Sequence, residues 1–64
     1  MSYFISDFTQ YRPGQICPIS GLYGVINQYG HRTGHQVTSV RGEPFPPTPG
    51  GGWGYVLDTP ANHK

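Results

Sequence analysis

The chain has 64 residues, 34% of them hydrophobic and only 11% charged, with a formal net charge of +1 and a single cysteine. A chain this short forms one domain that buries only about 60% of its unfolded surface, so it needs a staple, a partner or dense aromatic packing. One cysteine excludes an internal disulfide and a cysteine-rich zinc site. The low charge, without any basic block, excludes the electrostatic footprint of an obvious nucleic-acid binder.

Residues 1–11 form an N-terminal aromatic arm. Tyr3 and Ile5 alternate with Phe4, Ser6 and Phe8, which suits a short strand, while the i,i+4 spacing of Phe4 and Phe8 suits a helical turn; both readings stay open. The opening residues lack the basic and long apolar regions of a signal peptide. No apolar run reaches the about 20 residues needed to cross a bilayer. A cytoplasmic location with a reduced thiol, and no membrane, is the expectation.

Residues 12–57 hold the small β domain. Arg12-Pro13-Gly14-Gln15 predicts a type II turn, with Pro at its second and Gly at its third position. Ile16 to Gly21 is a second, knuckle-like turn. Leu22 to Asn27 reads as a strand, Gln28 to Gly34 as a polar loop, and His35 to Arg41, with Val37, Thr38 and Val40, as a second strand. Gly42 to Trp53 carries four prolines, three of them together with a glycine triplet between Phe45 and Trp53, and cannot be a helix or a central strand. Trp53 to Leu57 is the third strand, with Trp53, Tyr55 and Leu57 on one face. Residues 58–64 read as a polar tail in which Pro60 does not continue the ladder. Low charge with abundant Gly, Pro and Tyr also fits a disordered chain, but the alternating segments argue for an ordered one. The expected fold is small all-β: a three-stranded antiparallel sheet with ordered Pro/Gly-rich loops and a core of Tyr23, Val25, Phe45, Trp53 and Tyr55.

The order Arg12-Pro13-Gly14, Pro18-x-Ser20-Gly21-x-Tyr23, Gly42-x-x-Phe45-Pro46-Pro47 and Trp53 resembles the small bacterial YjzC-like proteins, a likeness that spans residues 12–57 and implies no activity. It also looks like a zinc ribbon without its metal ligands. The positions where such a ribbon places its ligand pairs hold Val25, Gln28, Thr48 and Gly51, and none of these is Cys or His. The resemblance therefore implies apolar packing where a ribbon holds its ion, with no metal and no cofactor.

His31 and His35, spaced H-x3-H, could join Cys17 in a metal-dependent assembly, but a closed zinc site needs a fourth ligand that only His63 or a partner chain could give. Arg12, Arg32 and Arg41, with Tyr11, Tyr23 and Tyr29 near them in sequence, could stack single-stranded bases, weakly and salt-sensitively. An enzyme is not expected: Cys17 has no convincing orienting group beside a histidine, and so small a chain should have little room for a pocket of about 300 Å³. More aromatics are present than a small core can hide, and exposed aromatics and arginines concentrate binding energy. The sequence therefore points to a non-catalytic protein-interaction module, of adaptor or inhibitor type, that binds a protein partner or itself. Its candidate contact residues are Phe4, Phe8, Tyr11, Tyr29, His31, Arg32, His35 and Arg41.

Overall fold

The computed structural model describes residues 9–61; the aromatic arm's Phe4 and Phe8 lie outside them. Three strands, β1 (Gly21–Ile26), β2 (Arg32–Ser39) and β3 (Gly54–Pro60), form one open antiparallel sheet in the order β2-β1-β3. Among the described residues there is no helix. The central strand, Gly-Leu-Tyr-Gly-Val-Ile, is almost wholly buried because it pairs on both sides.

β1 and β2 form a hairpin closed by Asn27, whose side-chain oxygen accepts from the backbone N–H groups of Tyr29 (2.9 Å) and His31 (3.0 Å). Such side-chain mimicry of a backbone turn is what asparagine offers. The two outer strands run parallel to one another, so residues 40–53 must cross the face of β1 from one end of the sheet to the other. This crossover is the second layer of the fold. Its backbone is held at Phe45, whose carbonyl accepts from Gly14 N–H and whose N–H donates to Gln15, both at 2.9 Å.

Phe45 is the centre of the core. Its ring stacks between Tyr11 (centroids 5.4 Å apart) and Tyr55 (5.0 Å), and Tyr23 meets it edge-on at 4.9 Å. Cys17 and Val25 complete the buried cluster, with Val37, Trp53 and Leu57 packed around it. Offset and edge-to-face pairs each add about 0.5–1.5 kcal/mol beyond their burial, which is how so few residues hold a domain. Each buried phenol also ties down a loop. Tyr23 donates to Ile19 carbonyl and Tyr55 to Pro46 carbonyl, both at 2.6 Å. Burial raises the pKa of both phenols, and at Tyr23 the neighbouring Cys17 adds to the effect.

Two strands run beyond the sequence reading, while β2 stops at Ser39, short of the expected Arg41. β2 begins at Arg32, inside the expected polar loop. Its register with β1 shifts between Gly24 and Ile26, where Gly34 adopts φ of 91°. β3 runs on through Asp58 to Pro60, into the expected tail. Asp58 is the extra residue where the register shifts between Leu22 and Tyr23, and Pro60 sits opposite Gly21. Proline is tolerated there because β3 is an edge strand. The Arg12–Gln15 turn is as expected, with Gln15 N–H on Arg12 carbonyl at 3.0 Å and Gly14 at φ of 84°.

Candidate interaction surface

The two ends of the sheet carry different surfaces. At the Ile26 end, Gln10–Pro13 and the stretch from Pro47 to Gly54 enclose an open groove of about 560 Å³. The expectation that so short a chain has little room for a pocket of about 300 Å³ is thus corrected. A single sheet roofed by one irregular crossover leaves a trough where the roof ends.

Tyr11, Arg12 and Trp53 face this groove together with Pro47 and Thr48, and the run Gly50–Gly52 adds bare backbone. Trp53 was expected in the core. It stands half-buried at the rim, its indole so close over Gly50 that no side chain could replace that glycine's hydrogen. The indole Nε1–H donates to the Gln28 side-chain oxygen at 3.1 Å, which joins the groove to the β1–β2 turn. Gly30 of that turn faces the Gln10 side chain, and Tyr29 at its tip is 74% exposed. The Arg12 guanidinium has no ion-pair partner among the described residues. Tyr11, expected as a contact residue, serves two ends: its ring belongs to the aromatic stack while it also lines the groove.

Of the positions matching ribbon ligands, Thr48 and Gly51 line the groove, Gln28 holds Trp53, and Val25 is in the core.

The remaining candidates do not gather. Arg32 lies on the opposite face of the sheet, where its guanidinium pairs with both carboxylate oxygens of Asp58, one of them at 3.1 Å; Gln36 adds a third bond at 2.9 Å. Arg32 is therefore engaged within the chain. These bonds hold the Asp58 carboxyl below its ordinary value, chiefly through Arg32 and against the effect of burial. Gly24 lies beneath the cluster, where any Cβ would collide with both charged groups. His31 and His35 are exposed.

Arg41 is exposed at the far, Gly21 end, and Tyr23 is wholly buried, so the arginines and tyrosines do not form one stacking surface. Cys17 is 1% exposed, with its thiol on Ile19 carbonyl at 3.0 Å. Among the described residues no three His, Cys, Asp or Glu side chains gather to hold a metal. The proposed union of Cys17 with His31 and His35 is thereby corrected: the sulfur faces the core, and the imidazoles face outward.

Neither Asp58 nor the groove role of Trp53 was anticipated. The signal for Asp58 was Gly24, because a glycine inside a strand marks a close approach of other groups. Compared with protein-family models, with curated proteins and with solved structures, the chain matches none.

Proposed function

We propose that this protein is a non-catalytic interaction module that grips an extended segment of a protein partner in the groove beside Trp53. One observation carries the reading. Trp53, Tyr11 and Arg12 converge on a single concave surface with exposed glycine backbone. Trp, Tyr and Arg are the residue types in which interface energy concentrates. Glycine backbone lets a bound chain approach closely and leaves N–H and C=O groups within its reach. The lone guanidinium selects for a carboxylate on that segment.

The non-catalytic part is supported by the lining itself, which has no carboxylate, imidazole, thiol or amine side chain among the described residues. The hydroxyls in the lining, on Tyr11 and Thr48, thus have no such group beside them to activate them as nucleophile or acid–base pair. A free, buried thiol fits a reducing, cytoplasmic setting.

Gly51 gives a clean test. It lines the groove, its φ is not positive, and a Cβ there would meet nothing within 4 Å. Gly51→Leu should therefore fill the groove without disturbing the fold. Random peptides displayed on phage and selected on the full chain should shift the emission of Trp53, the only tryptophan. They should lose at least tenfold in affinity on Gly51→Leu and on Arg12→Ala, with the melting temperature unchanged. Selected peptides that bind both variants as tightly as the parent would overturn the proposal.

A further inference from the structure

A peptide can be held at a sheet edge, as a helix in an apolar groove, or as a polyproline II segment on aromatic rings. The residues around Trp53 separate these modes. Of the lining residues only Gly54 belongs to a strand. Beside it the outward backbone groups of Tyr55 are already taken: Tyr11 N–H donates to Tyr55 carbonyl at 2.8 Å, and Tyr55 N–H to Tyr11 carbonyl at 2.9 Å. Tyr11 thus occupies the place that a ligand strand would need. An amphipathic helix lays a row of apolar anchors into a hydrophobic bed, yet the lining holds no Leu, Ile, Val or Met among the described residues. Its apolar surface comes from rings: Tyr11, Trp53, Pro13 and Pro47.

The hydrogen-bonding groups point the same way. Proline has no N–H, so a proline-rich segment presents carbonyl acceptors and almost no donors. Its site must supply donors. In the lining, Tyr11 carbonyl accepts from Tyr55, Arg12 carbonyl from Gln15, and Gly50 carbonyl from both Trp53 N–H and the Thr48 hydroxyl. The N–H groups of Gly51 and Gly52 have no partner among the described residues, and the Arg12 guanidinium is a further donor. The indole N–H is engaged by Gln28, so Trp53 offers its ring. Arg12 is also the one charged residue in the lining among the described residues.

On the reading of this groove as a peptide site, we infer that its ligand is a proline-rich segment in the polyproline II conformation, with a carboxylate beside the prolines for Arg12. Such a segment is extended without internal hydrogen bonds, and its rings three positions apart lie on one edge, about 9 Å from each other. Proline fixes φ, so the ligand has little chain freedom to lose on docking.

Three capped synthetic peptides of equal length test it against the full chain, each ending in one glutamate: all proline, alternating Val and Thr, and a helix-forming mixture of Ala and Leu. The emission of Trp53, the only tryptophan, reports binding. The proline peptide should bind at least about tenfold more tightly than either of the others, since specificity is a difference of affinities. Gly51→Leu should abolish its binding. Arg12→Ala, and glutamine in place of the peptide's glutamate, should each weaken it about fivefold or more, and together no more than either alone. Equal affinity for the three peptides would overturn the inference. So would phage-selected peptides that lose binding on Gly51→Leu yet carry no prolines at a spacing of three; the groove's role as a peptide site would then stand. If no peptide binds, selected or synthetic, both readings fall.

Discussion

The two ends of this sheet are built by different means. At the Gly21 end the ties run mainly from backbone to backbone, and strand β3 is tied back by Ala61 N–H on Ser20 carbonyl at 2.8 Å; the Ser20 hydroxyl, the Tyr23 phenol and the Cys17 thiol add to them. At the Ile26 end the crossover is held largely by side chains: Tyr55 on Pro46, Thr48 hydroxyl on Gly50 carbonyl at 3.0 Å, and Trp53 on Gln28. The one backbone tie within that glycine run, Trp53 N–H to Gly50 carbonyl, is long at 3.4 Å. Backbone ties fix an end whatever its surface side chains are, which leaves that surface free to be apolar. Side-chain ties leave a concavity that can adjust around a ligand.

The comparison is broken most completely by removing what both ends share. Phe45→Ala deletes the ring on which Tyr11, Tyr23 and Tyr55 meet and should cost about 3–5 kcal/mol, enough to unfold so small a domain by circular dichroism. Next comes a pair of glycine substitutions. In Gly21→Ala the new methyl would meet Thr59 carbonyl at 2.5 Å and Pro60 Cα at 2.9 Å, rigid backbone at the tied end. It should lose about 1–3 kcal/mol through overpacking. Gly51→Ala at the open end should lose nothing, and a denaturant midpoint equal to that of Gly21→Ala would erase the distinction.

Titration sharpens the contrast further. Tyr23 has a raised pKa in the folded state, so its contribution is complete below pH 10.0, its ordinary value. That contribution is lost as pH rises toward the folded value, because the unfolded chain ionises first. Tyr23→Phe should give up the bond to Ile19, about 1 kcal/mol at neutral pH, and flatten the alkaline fall in stability. Asp58 works in the opposite sense. Its lowered pKa gives stability present above its ordinary value of 3.8 and lost as pH falls through the lower folded value. Asp58→Asn should remove that acid-side slope in melts between about pH 5 and pH 2, a window set by the carboxylate range, and leave the alkaline limb unaltered.

The smallest effect belongs to Ser39, 6% exposed, whose hydroxyl has no hydrogen-bond partner among the described residues. Ser39→Ala should be neutral or stabilise by up to about 1 kcal/mol in the same melts, because it relieves a buried polar group.

Strand centres and turns were legible in the sequence because their causes are local. β-branched and aromatic runs gave β1 and much of β2 and β3, and Pro13-Gly14 gave its turn. The strand ends were not legible. Gly34 reads as a loop residue, yet it lies within β2 at a register shift. Asp58-Thr59-Pro60 reads as a tail because what keeps it in the sheet is distant in the chain: Arg32 and Gln36 on Asp58, and Leu22 and Gly21 opposite Thr59 and Pro60. Pairings of that length depend on register, and register is set by the assembled sheet. The rim position of Trp53 was not legible for a related reason. Period two puts it on the core face, and it does pack against the core, but Phe45, which the crossover delivers from the other end, fills the centre and leaves the indole at the groove rim.

Cys17 and Trp53 are each the only residue of their kind, and they stand at opposite ends of the molecule. A thiol reagent can reach Cys17 only when the Gly21 end opens, so its alkylation rate in native buffer would time that opening. Indole emission follows the groove on its own account. The unaltered protein thus carries two independent spectroscopic and chemical clocks, and the difference between their readings would show whether it opens as one unit or from one end first.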